Sequence, residues 1–454
     1  MTALSSIRDC FEGVIPSVVA TLDAEGVPNV SYLSQVYLVD DDHVALSNQF
    51  FSKTADNVRA TGRATVIVVS GRSGAQYRLD LVHEASLAAG DLFDRMAAQL
   101  SAIGTQQGAG EIMKLRCAEL YRVEACRPLA GPTDAAPAAP DAVHPNADER
   151  LVQAARLSAA IGAESDADAM VDRALEGLVS DFGYSNAMVL AVDPAEGRLT
   201  TLASRGYPVG GAGSEVAPGE GVIGIAATSR RPVRLSDMSR GRRLAAAIQA
   251  SARLDADRYI PLPGLAEPQS QLAAPMISRG KTYGVLFTES PERFRFGPDD
   301  EAALTLIGGQ LAASLRLADI EAGDLPAERP ARQQPLSGAP FTAKLFAYDD
   351  SLFIDDVYVI KGVPGRLLFH FLRIYAESGR CDFTNREVRL EPSLRLPDLK
   401  DNLETRLILL RRRLDERQTP VRLSRPGRGQ IRLEVRGTPN LVLVADKQAP
   451  AGPG

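Results

Sequence analysis

Apolar and polar residues alternate along the first part of the chain in short runs punctuated by turns. IPSVVATLDAEGVPNVSYLSQVYLVDDDHVALSNQF contains three strand-like runs separated by DAEG and DDDH. FSKTADNVRATG has the look of a short helix, RATVIVVS and GAQYRLDLVHEASL read as further strands, and DLFDRMAAQLSAI places Leu92, Met96 and Leu100 on one helical face. Such an order predicts an antiparallel barrel with small helices. The rhythm then changes. DAMVDRALEGLVSDFGY (168–184) puts Val171, Ala174, Leu175, Leu178, Val179 and Phe182 on one helical face. NAMVLAVD with RLTTLASRGY, and then QLAAPMISRGKTYGVLFTES, read as hairpins before a closing helix at 298–318.

Toward the C-terminus, PGRLLFHFLRIYAE (364–377) aligns Leu367, Leu368, Phe371, Leu372 and Tyr375, with Pro364 suited to the helix start. Thr384-Asn-Arg-Glu387 is a capping box, in which hydroxyl and carboxylate satisfy free N–H groups at a helix start. Residues 398–417 space Leu399, Leu403, Leu407, Leu410 and Leu414 as one apolar stripe, leaving Arg406, Arg412 and Arg413 largely on the other side. VRLS and IRLEV alternate around PGRG, the pattern of a half-buried hairpin.

Composition marks the joints. With 454 residues, 45% apolar and 24% charged, the chain is that of a globular protein of about three domains. Residues 128–147 and 321–340 are rich in Pro and Ala and poor in large apolar side chains, so they read as linkers. Three domains follow: 1–127, 148–320 and 341–446. No apolar run approaches the roughly 20 residues that cross a bilayer, and MTALSSIRDCFEG lacks the features of an export signal. The four dispersed cysteines (Cys10, Cys117, Cys126 and Cys381) form no CxxC pair, which predicts reduced thiols in a cytoplasmic protein without a metal site.

Charge is segregated. The whole chain carries −6, but residues 341–447 hold 20 Lys+Arg against 15 Asp+Glu, or +5, which leaves −11 for the remainder. Five arginines fall in 422–436 alone. A basic helix and hairpin on an acidic protein suit a polyanionic partner, and guanidinium groups match both phosphate and guanine edges.

The order helix, short helix, arginine-bearing helix and arginine-bearing hairpin resembles the winged-helix output domain of OmpR-type response regulators. Leu409-Leu410-Arg411-Arg412-Arg413-Leu414 and Gly427-Arg428-Gly429-Gln430-Ile431-Arg432 occupy the places of that family's helix and wing motifs. The wing tyrosine is missing and no receiver domain precedes. The resemblance implies contact with double-stranded DNA through Arg406, Arg412, Arg413, Arg425, Arg428 and Arg432.

Near the N-terminus, a strand delivers Ser47 and Asn48, and a loop then presents Ser52, Lys53 and Thr54 at a helix start, donors that suit a phosphate or simply cap the helix. Gly26-Val-Pro28-Asn-Val-Ser31, Ser47-Asn48 and Ser52-Lys53-Thr54-Ala-Asp-Asn57 together resemble the pyridoxamine 5'-phosphate oxidase-like FMN-binding split barrels over roughly residues 8–125. The resemblance implies that Ser52, Lys53 and Thr54 hold the FMN phosphate, that Gln35, Val36, Ser47 and Asn48 line the ring and ribityl chain, and that Gln76 touches the flavin. Three departures weigh against catalysis. Ser31 and Thr54 stand where family oxidases carry basic residues, and the substrate-receiving Trp…Arg segment has no counterpart in a chain without Trp.

Residues 148–320 resemble a GAF domain, through PGEGVIGIAATSRRPVRLSD (218–237) and the closing helix. Gly219, Gly221 and Gly224 lack the strand and lysine of a phosphate loop and read as a helix start. This domain takes an unknown small-molecule ligand or serves only as a dimer contact.

The fold class expected is therefore multidomain α+β: antiparallel split β-barrel, GAF sheet with flanking helices, then winged helix. The function expected is one-component transcriptional regulation by a homodimer that senses flavin redox state or a metabolite. The alternative is an FMN-dependent oxidoreductase regulated by its other domains. No triad, nucleophile motif or metal spacing supports hydrolysis, so no catalytic residue is assigned.

Overall fold

The computed structural model describes residues 2–49, 53–106, 113–130, 147–193, 197–239, 260–324, 337–396 and 403–444. Most of both linkers, Ser52, and the first turn of the expected 398–417 helix with Leu399 lie outside the described residues.

The N-terminal unit opens with a 3-10 helix, Leu4–Phe11, which the residue pattern did not announce. It continues through β1 (Ser17–Leu22), β2 (Pro28–Leu33), β3 (Val36–Leu38), β4 (His43–Asn48), α1 (Lys53–Thr61), β5 (Arg63–Val69), β6 (Gln76–Leu87), α2 (Asp91–Gln106) and β7 (Cys117–Pro128). The seven strands form one antiparallel sheet in the order β2-β1-β5-β6-β7-β4-β3. Register shifts at Asp80/Leu81 and His83/Ala85 interrupt the long β6–β7 ladder, and such bulges bend a strand. The inward residues, among them Val19, Val44, Val66, Val68, Leu79 and Tyr121, bury one core with Leu4, Ile7 and Phe11 of the 3-10 helix.

The middle unit comprises α3 (Ala147–Ala163), α4 (Ala167–Ser180), β8 (Asn186–Val192), β9 (Leu199–Arg205), β10 (Glu215–Val216), α5 (Gly221–Ser229), β11 (Val233–Leu235), β12 (Ser270–Ser278), β13 (Lys281–Ser290) and α6 (Pro298–Asp324). Its six strands run antiparallel as β10-β9-β8-β13-β12-β11. Asp166 caps α4, accepting hydrogen bonds from the N–H groups of Asp168 (3.0 Å) and Ala169 (3.1 Å). Gly224 sits so close to Ala217 O (2.4 Å from an added Cβ) that this turn serves packing at the start of α5.

The C-terminal unit begins with β14 (Phe341–Phe346), β15 (Ser351–Ile354), β16 (Val357–Ile360) and α7 (Val363–Ser378). After β17 (Asp382–Thr384) come α8 (Asn385–Leu390), α9 (Leu403–Glu416), β18 (Val421–Ser424), β19 (Gln430–Val435) and β20 (Pro439–Val444). One sheet runs β16-β15-β14-β20, with β20 parallel to β14, and a second runs β17-β19-β18. Pro364 occupies the first turn of α7, and Gly379, at φ +71°, closes the helix by donating to Tyr375 O (2.8 Å). The capping box forms its backbone half, with Glu387 N donating to Thr384 Oγ1 (3.3 Å). Leu367, Leu368, Phe371 and Leu372 are wholly buried, a contribution of about 1.5–3 kcal/mol each.

The units share cores. Ala98, Ala102 and Ile103 of α2 pack among Val222, Ile223 and Val233 of the middle unit. A second apolar cluster runs from α3, α4 and α6 into α7, α9, β18 and β19 without a break.

Candidate functional site

Two groups of residues merit scrutiny: the β3–β4–α1 corner of the N-terminal unit and the basic face of α9 with its hairpin. In the corner, Gln35 is 3% exposed, and its main-chain oxygen accepts from both the N–H and the hydroxyl of Ser47, each at 3.2 Å. Its side-chain Oε1 is buried without a hydrogen-bond partner. Val36 belongs to the barrel core. Asn48 donates through Nδ2 to Glu119 Oε1 (2.9 Å), while Glu119 Oε2 lies 3.0 Å from His83 Nε2 and accepts from Ser86 (2.5 Å). Burial by itself would raise the Glu119 pKa, but the hydrogen bonds from Ser86, Asn48 and His83 outweigh it and hold the carboxyl below its usual range.

At the start of α1, the Lys53 ammonium is half-exposed and lies 3.6 Å from Asp23. Asn29 donates to Thr54 Oγ1 (2.9 Å), and Asn57 donates to Thr21 (3.1 Å). Gln76 stands apart. It opens β6, whose next residue pairs with Pro128 at one end of β7, whereas Asn48 pairs with Cys117 at the other. The corner thus unites Gln35, Ser47 and Asn48, and the start of α1 presents Lys53 and Thr54, but Gln76 does not join them within one chain. For a flavin phosphate the donor set of Lys53, Thr54 and the helix start fits. Toward the ring the fit is partial, because Asn48 is already committed to Glu119.

Glu119, His83 and Ser86 were not singled out as a set from the sequence, since they meet only through the β6–β7 register. His83 pairs with Glu119, while its neighbour Glu84 lies 3.4 Å from both His43 and Arg122. A cavity of about 870 Å³ opens beside the corner, between Gln35, Tyr37, Arg95 and Gln99 on one side and Arg234 and Glu301 on the other. Arg234 is clamped between Glu12 and Glu301 (3.4 Å to the latter), and Gln99 donates to its main-chain oxygen. Burial opposes its charge, but the two carboxylates reverse the balance and raise its pKa.

The arginines correct an expectation. Arg406, Arg412 and Arg413 do not lie on a solvated face. Arg406 reaches Asp193 (3.4 Å), and Arg412 donates from Nε to Asp168 (2.8 Å) and from Nη2 to Asp172 (2.9 Å). Arg411 also pairs with Asp168. Arg413 donates to Val359 O (2.8 Å) and reaches Glu416 (3.3 Å). Arg425 pairs with Glu404 and lies 3.8 Å from Asp166, Arg428 lies 2.9 Å from Glu321, and Arg432 lies 2.6 Å from Asp382 on the neighbouring strand. The physical reason is a second apolar strip: Ile408 and Leu409 are also buried, so α9 is covered on two sides. Among the described residues no group of His, Cys, Asp or Glu could hold a metal ion, and no helix is long and apolar enough to cross a membrane.

Comparison with known families fits the first two units. The pyridoxamine 5'-phosphate oxidase family matches residues 5–124, and the GAF domain family matches residues 164–316. The chain therefore carries an FMN-binding-type split barrel followed by a GAF domain. Among solved structures, an FMN-binding protein from Syntrophomonas wolfei shares 18% identity over 28% of this chain and 88% of its own, at a TM-score of 0.24. The GAF domain of an Acinetobacter phosphoenolpyruvate-protein phosphotransferase shares 20% over 39% and 98%, at 0.30. A free methionine-R-sulfoxide reductase from Neisseria meningitidis shares 19% over 38% and 92%, at 0.29. No curated protein matches the chain.

Proposed function

We propose that this protein is a one-component transcriptional regulator, in which a flavin-type split barrel and a GAF domain sense a redox state or small metabolite and the C-terminal unit binds double-stranded DNA. One observation carries the DNA reading: α7, β17, α8, α9 and the β18–β19 hairpin follow the order of an OmpR-type winged helix, with arginines along the third helix and the hairpin. FMN is the proposed cofactor, its phosphate at Lys53 and Thr54 and its ring near Gln35, Ser47 and Asn48. A bound flavin would supply one- or two-electron redox chemistry. The working unit is a homodimer, a reading supported by Val30 and Tyr32 exposed on edge strand β2 and by Leu306, Leu317 and Ile320 exposed along α6.

The full chain should bind duplex DNA with sequence preference and with an affinity that falls steeply as salt rises. Binding that ignores both sequence and salt would defeat the proposal. The match of residues 5–124 to an oxidase family favours a second reading, an FMN-dependent oxidoreductase regulated by the other domains. NAD(P)H turnover on the order of 1 per second or faster by the yellow holoprotein would select it.

A further inference from the structure

The six arginines to which the DNA reading assigns phosphate and base contacts already hold carboxylates. Asp166, Asp168 and Asp172 sit at the beginning of GAF helix α4, and Asp193 follows β8. Together they meet Arg406, Arg411, Arg412 and Arg425, while Glu321 of α6 meets Arg428. The side chains of Arg406, Arg412, Arg413 and Arg425 are only 11%, 19%, 5% and 11% exposed. Arg413 is covered within its own unit, by Val359 O and Glu416, whereas Arg406, Arg412 and Arg425 are covered with GAF carboxylates beside them, where a duplex cannot reach them.

We propose that the acidic rim of the GAF domain is an internal competitor for DNA: it occupies the nucleic-acid face of α9 and its hairpin, and DNA binds only when the rim lets go. This rests on the DNA-binding reading above and goes beyond it by naming what controls the face. The competition has a chemical basis, since both occupants offer anionic oxygens to the same guanidinium donors.

Energetics favour a releasable contact. Removing guanidinium groups from water is costly, and the pairing returns that cost only where every N–H finds an acceptor. Here Arg411 Nε and Arg425 Nε are buried without one. Burial, with the like charge of Arg412 beside it, pushes the Arg411 guanidinium pKa down. The docked state therefore keeps an unmet demand for anions, which phosphates would satisfy.

The test uses the full chain and leaves every arginine in place. Asp168→Asn removes the carboxylate shared by Arg411 and Arg412. The double variant Asp172→Asn/Asp193→Asn changes more exposed side chains and guards against misfolding at the buried Asp168. Two readouts are taken: hydrogen exchange of residues 403–416 without DNA, and anisotropy of a labelled random-sequence duplex at low ionic strength. The expected result is faster exchange in α9 together with DNA affinity raised on the order of tenfold. If wild-type protein binds the duplex and the variants bind it equally, the competition is refuted while the DNA reading stands. If α9 is freed and no form of the protein binds the duplex, both fall together. Unchanged exchange in α9 with unchanged affinity would refute the rim as the element that holds it.

Discussion

The GAF domain meets its neighbours through two joints built on different principles. Toward the barrel, α2 inserts Ala98, Ala102 and Ile103 into the GAF core, Arg234 is clamped by Glu12 of the barrel and Glu301 of its own domain, and Arg231 pairs with Asp91 and Asp94 at the start of α2. Toward the C-terminal unit, a row of arginines meets a row of carboxylates, many of them partly wet, above an apolar seam. Apolar burial is indifferent to salt and offers no exchange partner. A guanidinium row can swap one anion for another. The first joint is made to hold and the second to be contested.

The sharpest way to break this contrast is Arg234→Ala. It leaves Glu12 and Glu301 facing each other, mostly buried, at the cavity wall, and should destabilise the full chain by about 3 kcal/mol in denaturant unfolding. A loss near zero would mean that water already reaches the clamp. Ile103→Ala should follow, at about 2–4 kcal/mol, because it opens a cavity at the apolar joint. Its cost should be the same at low and high salt.

Ionic strength separates the joints directly. Raising salt toward 1 M, where the screening length falls to about 3 Å, should speed hydrogen exchange in α9 several-fold and leave unchanged the second half of α2, where Ala98, Ala102 and Ile103 make the apolar contacts. Equal responses would erase the distinction.

The smallest effect is expected in the barrel, away from both joints. Glu119 has a lowered folded-state pKa, so the stability it contributes is full above its unfolded value near 4.5 and is lost as pH falls through the folded one. Glu119→Gln should flatten that acid limb and cost about 1 kcal/mol at neutral pH, read from melting curves across pH.

Much of the framework was legible in the residue pattern, and what escaped shows why. The α7 face, the capping box and the β18–β19 alternation follow from local rules, and each is found where it was expected. On α9 Leu403, Leu407, Leu410 and Leu414 of the expected stripe are buried, but Ile408 and Leu409 on the opposite side signalled a second buried face, which a solvated arginine surface would not carry. On α2, Leu92 and Met96 pack on the barrel side, while Ala98 and Ala102 gave no signal because alanine is a helix former everywhere. The Glu119–His83–Asn48 cluster depends on strand register, which no local pattern discloses. Ser47 and Asn48 meet Gln35 at one corner, whereas Gln76 lies toward the other end of β7.

Helix α6 spans 27 residues, about 40 Å of unbroken rod. Near its first turn Glu301 grips Arg234 and walls the cavity beside the barrel, and near its last turns Asp319 accepts from Arg389 at 2.6 Å and Glu321 reaches Arg428. A rod loaded at both ends behaves as an axle: a residue added or removed in its middle would turn one end by about 100° against the other. Such a change would break either the Glu301 contact at the cavity wall or the Asp319 and Glu321 contacts with the C-terminal unit.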